Sequence, residues 1–527
     1  MGVVVHRVFL VGVVALAAVL AGCARNDLSS RTAFAFVLLA EGADGAPVAM
    51  VRTIAEGASA CPLLEPASGA PRQLTERSRP PIGGFDDVLV CEAVYPVGVP
   101  AKIEVNGKRF ALPVARLDTP RRVALFGDTG CDDSHKKPVQ ECDSLHTTSW
   151  PFAELARDVD IQAPDLFIHV GDYNYRGTPL SLVLPPAATG YARDLKVDVY
   201  DVGDIDEGPA LRSAGPAYWS QNVPGSPQID NWPAWRDDFF APAHRLLTAA
   251  PWVFTRGNHE LCSRAGPGWF YLLDMGSALL GPGKQQASCP PQLPPEWRSG
   301  AWPRLPAAPF AGRPFPNPTT APARLKLGGL NLIVVDSSNA ADAFAYNVDL
   351  YEAQYRSVAN LLADVTPSWI VTHRPIWGVV MKEHGRPVPG EAYGFINVTQ
   401  QIAVSEAFPA GLPDHVTAIF TGHTHRFQAI GFQGRRPPHI VVGTGGVELH
   451  DVMPAPSPDA PLRPVAVPNL AGADAFVVGL KAFGMLVIEP GRGGAWSGYL
   501  MSTRRQIMAT CDSAAAKQPG QSVCALK

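Results

Sequence analysis

Five apolar runs in this chain stop abruptly at residues whose side chains bind cations. Arg122 to Phe126 runs into Gly127-Asp128-Thr129-Gly130, Asp165 to Val170 into Gly171-Asp172-Tyr173-Asn174-Tyr175, and Pro251 to Thr255 leads to Gly257-Asn258-His259-Glu260. Trp369 to Thr372 ends at His373-Arg374-Pro375, and Thr417 to Thr421 at Gly422-His423-Thr424-His425. Carboxylates and an amide oxygen are hard ligands, imidazoles are borderline ones, and one carboxylate has two oxygens with which to bridge two ions. The residue types therefore suit a pair of metal ions. His423 and His425 stand two apart, so an extended segment would point both the same way and offer one histidine to each ion. Glycines before Asp128, Asp172, Asn258 and His423 would let the backbone turn closely beneath them.

Such residues converge only if the runs are strands of one crevice. From Arg122 onward apolar strands alternate with helical stretches, the pattern of an α/β layered fold, in which ligands gather at the carboxyl ends of strands. Phe152, Leu155, Ala156 and Val159 fit one helix face, and Tyr351, Tyr355, Val358 and Leu362 another. Residues 31 to 117 instead hold short β-favouring runs with turn signals such as Asn106-Gly107, which predicts a small β-rich N-terminal domain ending near Asp118 to Arg121. Between Arg176 and Ala250, and between Leu261 and Ala323, the chain is rich in Pro, Gly and Trp without periodicity and reads as long loops flanking the motifs.

The ordered set GDTG, GDYNY, GNHE, IVTH and GHTH resembles the calcineurin-like metallophosphoesterases, and its GDxG and GDxxY forms look like purple acid phosphatases. The resemblance covers roughly residues 120 to 450 and implies a four-layer α/β/β/α metallophosphoesterase sandwich. It assigns Asp128, Asp172, Tyr175 and His425 to a first metal and Asp172, Asn258, His373 and His423 to a second, with Asp172 as the bridge. Tyr173 competes with Tyr175, and the family spacing selects Tyr175. A tyrosinate at the first site goes with ferric iron in that family, the second ion being Fe, Zn or Mn. The implied activity is acid phosphatase-like hydrolysis of phosphate monoesters, with a hydroxide held by the two metals as nucleophile. Phosphodiesterase or nucleotidase activity is the alternative within enzymes, and a metal-stabilised surface binding lipoprotein the alternative outside them.

His259 is placed to contact the phosphate or protonate the leaving group, and Glu260 to orient His259. Arg374 could contact phosphate or form a buried ion pair, and His384 is a further candidate acid. His169, inside an apolar run, reads as a core residue. Trp232, Trp235, Trp297 and Trp302 could wall a substrate or pack the loops. The acidic run Asp201, Asp204, Asp206 and Glu207 lacks the spacing of a calcium loop and reads as a solvated turn. Asn397-Val398-Thr399 matches a glycosylation sequon.

Met1 to Cys23 has a basic start at His6 and Arg7, an apolar run from Val8 to Leu20 and the ending Leu20-Ala21-Gly22-Cys23. It resembles a bacterial lipoprotein signal, which implies export, lipidation of Cys23 and anchoring to a membrane, in the periplasm or at the cell surface. Of nine cysteines, removing Cys23 leaves an even set that an oxidising compartment would pair, most simply between sequence neighbours: Cys61 with Cys91, Cys131 with Cys142, Cys262 with Cys289, Cys511 with Cys524. The expected plan is therefore a signal at 1–23, a β-rich domain at 24–118, the catalytic domain at 119–500 and a C-terminal tail at 501–527 closed by a disulfide. A net charge of -4 over 527 residues leaves no basic stripe for nucleic acid. A phosphate ester is the expected partner, and oligomeric state is open.

Overall fold

The computed structural model of the chain describes residues 32–80, 83–133, 140–145, 148–157, 162, 163–176, 229–262, 264–289, 319–342, 345, 348–381, 393–452, 462, 464–466, 474–517 and 521–527. Cys23, Val159, His384, Trp297, Trp302 and the acidic run at 201–207 lie outside these residues. Among the described residues, no helix is long and apolar enough to cross a membrane.

The first part of the chain supplies β1 (Ala33–Glu41), β2 (Pro47–Glu56), β3 (Leu63–Pro66), β4 (Arg72–Gln73), β5 (Thr75–Glu76), β6 (Val88–Val94), β7 (Ala101–Val105) and β8 (Lys108–Leu112). Next come β9 (Val123–Phe126), α1 (Phe152–Arg157), β10 (Leu166–His169), α2 (Trp232–Trp235), α3 (His244–Leu247), β11 (Trp252–Phe254) and α4 (Gly266–Leu272). The second half holds β12 (Ala323–Leu327), β13 (Leu330–Val335), α5 (Val348–Leu361), β14 (Ser368–Thr372), β15 (Gly378–Met381), β16 (Tyr393–Ile396), α6 (Val398–Ala407), β17 (Val416–Thr421), β18 (Phe427–Phe432), β19 (His439–Val442), β20 (Val465–Ala466) and β21 (Asp474–Leu480). The chain closes with β22 (Gly484–Pro490), β23 (Trp496–Ser502), β24 (Ile507–Asp512) and β25 (Cys524–Leu526).

Among the described residues two large mixed sheets form. One has eleven strands in the order β25-β24-β23-β22-β9-β10-β11-β1-β2-β6-β5, the other eight in the order β12-β13-β14-β17-β19-β18-β21-β20. At their centres β9, β10 and β11 run parallel, as do β13, β14, β17 and β19. Parallel strands covered on both faces read as unbroken apolar runs, which is why VALF, LFIH and LNLIVV lack an inside-outside alternation.

Three hydrophobic clusters divide these strands face by face. Val37, Leu125, Ile168 and Val253 of the first sheet meet Leu332, Val334, Trp369, Val371 and Phe420 of the second. On the outer face of the first sheet Phe126, Phe167, Trp252 and Phe254 pack on Phe152, Phe239, Phe240 and Leu246. On the outer face of the second, Ile333, Val335, Ile370 and Ile419 pack on Tyr351, Tyr355 and Val358 of α5 and on Ala403 and Val404 of α6. Within β13, Leu332 and Val334 thus face one cluster and Ile333 and Val335 the other, as the strand period of two requires. The result is the expected four-layer α/β/β/α sandwich.

The β-rich N-terminal region is present, and its longest strands share a sheet with the catalytic ones. β1 lies parallel to β11 with Leu38 opposite Trp252, and β2 and β6 extend the sheet outward. The change of pattern near residues 118–121 is therefore not a break in the sheet. The described residues after 501 likewise continue it, with β24 paired to β25 and Cys511 opposite Cys524. All four expected disulfides form: Cys61–Cys91, Cys131–Cys142, Cys262–Cys289 and Cys511–Cys524. Where the Pro- and Trp-rich stretches are described they are partly helical, and Trp232 and Trp235 are buried core residues packed with Phe34, Phe240 and Tyr173. Asn397 of the sequon is fully buried, capping α6 through Gln400 N and donating to Ala340 O and Asp342, so no glycan fits there.

A buried charge cluster locks the N-terminal strands to the loop beyond β11. Glu92 on β6 accepts from Arg52 on β2 at 2.8 Å and from Arg77 at 2.6 Å. Those guanidiniums also donate to the carbonyls of Phe270, Tyr271 and Leu272 in α4. Burial pushes the Glu92 carboxyl up, but Arg52 and Arg77 outweigh it and hold it below the usual glutamate value. Removing one member of such a cluster leaves the others buried and uncompensated. Glu92→Gln is therefore expected to cost about 3–5 kcal/mol in chemical unfolding at neutral pH. Because the folded-state pKa is depressed, that contribution is present above the unfolded pKa and lost as pH falls through the folded one. The gap between wild type and variant should close in acid, and a gap that persists or widens there would count against this assignment.

Candidate metal centre

The five motif segments follow β9, β10, β11, β14 and β17, the inner parallel strands of the two sheets, and all five carboxyl ends open onto one crevice. The first two turns hold each other directly: Asp128 N donates to Gly171 O at 2.9 Å and Thr129 N to Asp172 O at 3.0 Å. His423 N donates to both oxygens of Asp128 at 3.1 Å, and Gly422 N to His373 O at 2.9 Å.

The tight turns are made by the ligand candidates themselves. Asp128, Asp172 and His423 have φ of 57°, 60° and 70°, in the left-handed region that costs a non-glycine residue roughly 1–2 kcal/mol. Of the four preceding glycines, only Gly171 has positive φ, at 100°. The others are needed for space: a Cβ on Gly257 would lie 2.0 Å from Asp172 Oδ1, and one on Gly422 2.4 Å from Asp128 Oδ2. The glycines thus allow the close turns as expected, Gly171 by its own positive φ and the others by leaving room, while the two aspartates and His423 also turn. With His423 left-handed, the His423-to-His425 segment is not extended, yet the two imidazoles still reach different clusters.

Asp172, His373 and His423 bring ligand atoms within 4.8 Å of one another, and so do Asp128, Asp172 and His425. Asp172 is common to both. Asn258 joins the first group, its Oδ1 lying 2.8 Å from His373 Nε2 and 2.7 Å from His423 Nδ1. Tyr175 joins the second, its hydroxyl 2.8 Å from Asp172 Oδ2, 3.3 Å from Asp128 Oδ1 and 3.1 Å from His425 Nε2. Tyr173, by contrast, stacks on His169 at 3.9 Å and donates to Thr255 O, away from the carboxylates. His169 bonds Thr129 and is buried as a core residue.

Which lone pairs face the crevice follows from what lies behind each ring. His373 Nδ1 is 2.7 Å from Val170 O, and His425 Nδ1 is 2.9 Å from Glu448 O. A carbonyl only accepts, so these nitrogens carry the proton and Nε2 faces inward as a lone pair. His423 Nε2 is 2.6 Å from Asp342 Oδ2, so its proton sits there and Nδ1 faces inward. Nε2 of His373, Nδ1 of His423 and Oδ1 of Asn258 thus converge at 2.7–2.8 Å, and with the rings neutral all three present lone pairs, a donor set that a cation among them would satisfy. The residues present therefore fit a metal at each cluster.

Electrostatics agree. Both carboxylates are buried; burial and Asp172 push the Asp128 carboxyl well above its usual range, whereas for Asp172 the pull of His373 and His259 outweighs burial. Burial, then Asp172 and Asp128, raise the Tyr175 phenol. Burial brings His425 down to about 3, leaving it neutral as a ligand must be.

His259 is partly exposed, its ring stacked on Tyr175 at 3.8 Å and its backbone N–H donating to Asp172 Oδ1 at 2.9 Å. Glu260 is fully buried and accepts from the backbone nitrogens of Asp172, Tyr173, Asn174 and Gly257, so it clamps the Asp172 turn. Arg374 pairs with Asp342 at 2.8 Å and donates to Ser338 O, which favours the buried ion pair of its two readings. Asp342 and His450, whose ring stacks on His425 at 4.1 Å, were not legible as site residues. For Asp342 a signal existed: β13 is a sixth apolar run ending in polar residues, Asp336-Ser337-Ser338-Asn339, but without a histidine.

Residues 121–427 match the calcineurin-like phosphoesterase family, a stretch that contains all of the ligand candidates. The fold is similar to that of purple acid phosphatase PPD1 from yellow lupin (Lupinus luteus) seeds, at 11% identity over 90% of this chain and 73% of that chain, with a TM-score of 0.48. No curated protein matches the sequence.

The close approach of Gly257 to Asp172 has a direct test. Gly257→Ala should keep the far-ultraviolet circular dichroism of the wild type while binding added Zn2+ about tenfold more weakly or worse, because the new methyl displaces the carboxylate shared by both clusters. Undiminished binding would mean that the turn yields without moving Asp172.

Proposed function

The chain belongs to the calcineurin-like phosphoesterase family, and on that basis we propose that it is a dinuclear metallophosphatase of the acid phosphatase type, acting on phosphate monoesters. One observation carries this reading: two groups of candidate ligand atoms, each within 4.8 Å of one another, share Asp172. Asp128, Asp172, Tyr175 and His425 would hold one ion, and Asp172, Asn258, His373 and His423 the other. The phenol of Tyr175 favours ferric iron at the first position, with Fe, Zn or Mn at the second. A bound pair of ions would neutralise phosphate charge and acidify a water.

The chain's own groups do the rest. Backbone carbonyls behind His373 and His425 fix the direction of both rings. Glu260 keeps the Asp172 turn from relaxing. His259, partly exposed and held against Tyr175, is the group in position to bond a phosphate oxygen or to pass a ring proton to the leaving alkoxide oxygen as its bond to phosphorus breaks. Arg374 is assigned to support of the site. Export and lipid anchoring at Cys23 belong to the same proposal, and the four disulfides suit an oxidising compartment.

The test is metal content together with hydrolysis of an aryl phosphate monoester and diester, for wild type, Asp172→Asn and His259→Ala. Wild type should carry about two metals and prefer the monoester. Asp172→Asn should lose metal and turnover together. His259→Ala should keep both ions yet lose about 10²–10⁴ in kcat, with the loss smallest for leaving groups that need no proton. If iron is bound, Tyr175→Phe should abolish its tyrosinate absorption. A preference for the diester would move the assignment to a phosphodiesterase, and a metal-loaded wild type inert to both substrates would move it to a binding role.

A further inference from the structure

The three ligand imidazoles are not backed alike. His373 and His425 each lean on a neutral backbone carbonyl, Val170 O and Glu448 O. His423 alone leans on a carboxylate, Asp342 Oδ2 at 2.6 Å. That carboxylate is itself held on both oxygens: Oδ2 also accepts from Arg374 Nη1 at 2.8 Å, and Oδ1 from Asn397 Nδ2 at 2.7 Å. Val398 N donates to the Asp342 carbonyl at 2.9 Å, pinning its backbone. Arg374 Nη1 also lies 3.3 Å from His423 Nε2, but a nitrogen that donates to a carboxylate cannot accept there, so Arg374 and His423 share one oxygen.

We propose that Asp342 is the positioning residue of one metal site: it fixes the His423 tautomer and ring direction and strengthens the ion held by Asp172, Asn258, His373 and His423, leaving the other ion unaffected. The physical reason is that a carboxylate accepting the remote N–H makes the facing nitrogen a more basic ligand than a carbonyl does, and such partners govern metal affinity by about 10–100-fold. The second ion thereby acquires a support that the first lacks, and Asn397 and Arg374 acquire a common purpose in holding Asp342 still. This inference rests on the two-metal reading above.

The experiment is calorimetric titration of metal-free protein with Mn2+ at fixed pH, for wild type, Asp342→Asn and Asp342→Glu. Wild type should bind two ions. Asp342→Asn should weaken one of them by about 10–100-fold and leave the other within about twofold. Asp342→Glu, which keeps the charge but shifts it by one methylene, should weaken the same ion by less. Should Asp342→Asn fail to fold, as judged by the unfolding transition of the metal-free protein, Asp342→Glu carries the same one-site test. Two unchanged affinities would overturn the inference, as would an equal fall in both, the mark of a purely structural role. Wild type binding fewer than two ions would instead sink the two-metal reading, and this inference with it.

Discussion

Everything near the crevice is arranged around one electrostatic difficulty. Asp128 and Asp172 are both buried, and Asp172 raises the cost of ionising Asp128. In a medium of low dielectric, like charges and inward lone pairs stay together only when cations sit among them or when the chain is held so firmly that they cannot part. The fold supplies the second condition ahead of the first. Two parallel sheet centres end at one place, and the turns leaving them are hydrogen-bonded to each other.

The backbone shares in that cost. Three of the ligand candidates adopt left-handed conformations that would relax if free, and strain of about 1–3 kcal/mol per residue persists only where the surroundings over-determine it. Glu260 is one source of that determination, with its carboxylate gripping the nitrogens of residues 172–174. Glycines at 127, 257 and 422 are another, since each leaves room for a neighbour that any side chain would push aside. Affinity for metals is in this sense built before any metal arrives, and the large aromatic layer beneath Phe126, Phe167 and Trp252 is what keeps the strand ends from shifting.

Much of this was legible in the residues. The strand ends were visible because doubly covered parallel strands are continuously apolar and each stops at a ligand. Helices α1 and α5 were visible because Phe152, Leu155 and Ala156, and Tyr351, Tyr355 and Val358, repeat at three and four. Sequence neighbours sufficed for the four disulfides. What escaped depended on contacts between distant segments. Asp342 lies 81 positions from His423, and nothing local marks it as a partner. That Glu260 grips the Asp172 turn likewise requires knowing that strands β10 and β11 are adjacent. The short helices around Trp232 to Leu247 were hidden because four- and five-residue elements are too brief to show a period, and they are held by tertiary burial rather than by propensity.

The placement of β1 beside β11 has a consequence for how the chain can be shortened. A fragment starting near residue 119, chosen because the recognisable motifs begin there, would strip β1 and β2 from the sheet and lay open the hydrogen-bonding edge of Trp252 to Phe254 together with the rings of Trp232, Phe240 and Phe254 that Phe34 and Phe36 of β1 cover. A bare apolar edge is a template for pairing with other chains, so the trimmed protein would tend to assemble through it instead of remaining monodisperse. β1 and β2 thus cover an edge of the sheet whose inner strands carry the motifs.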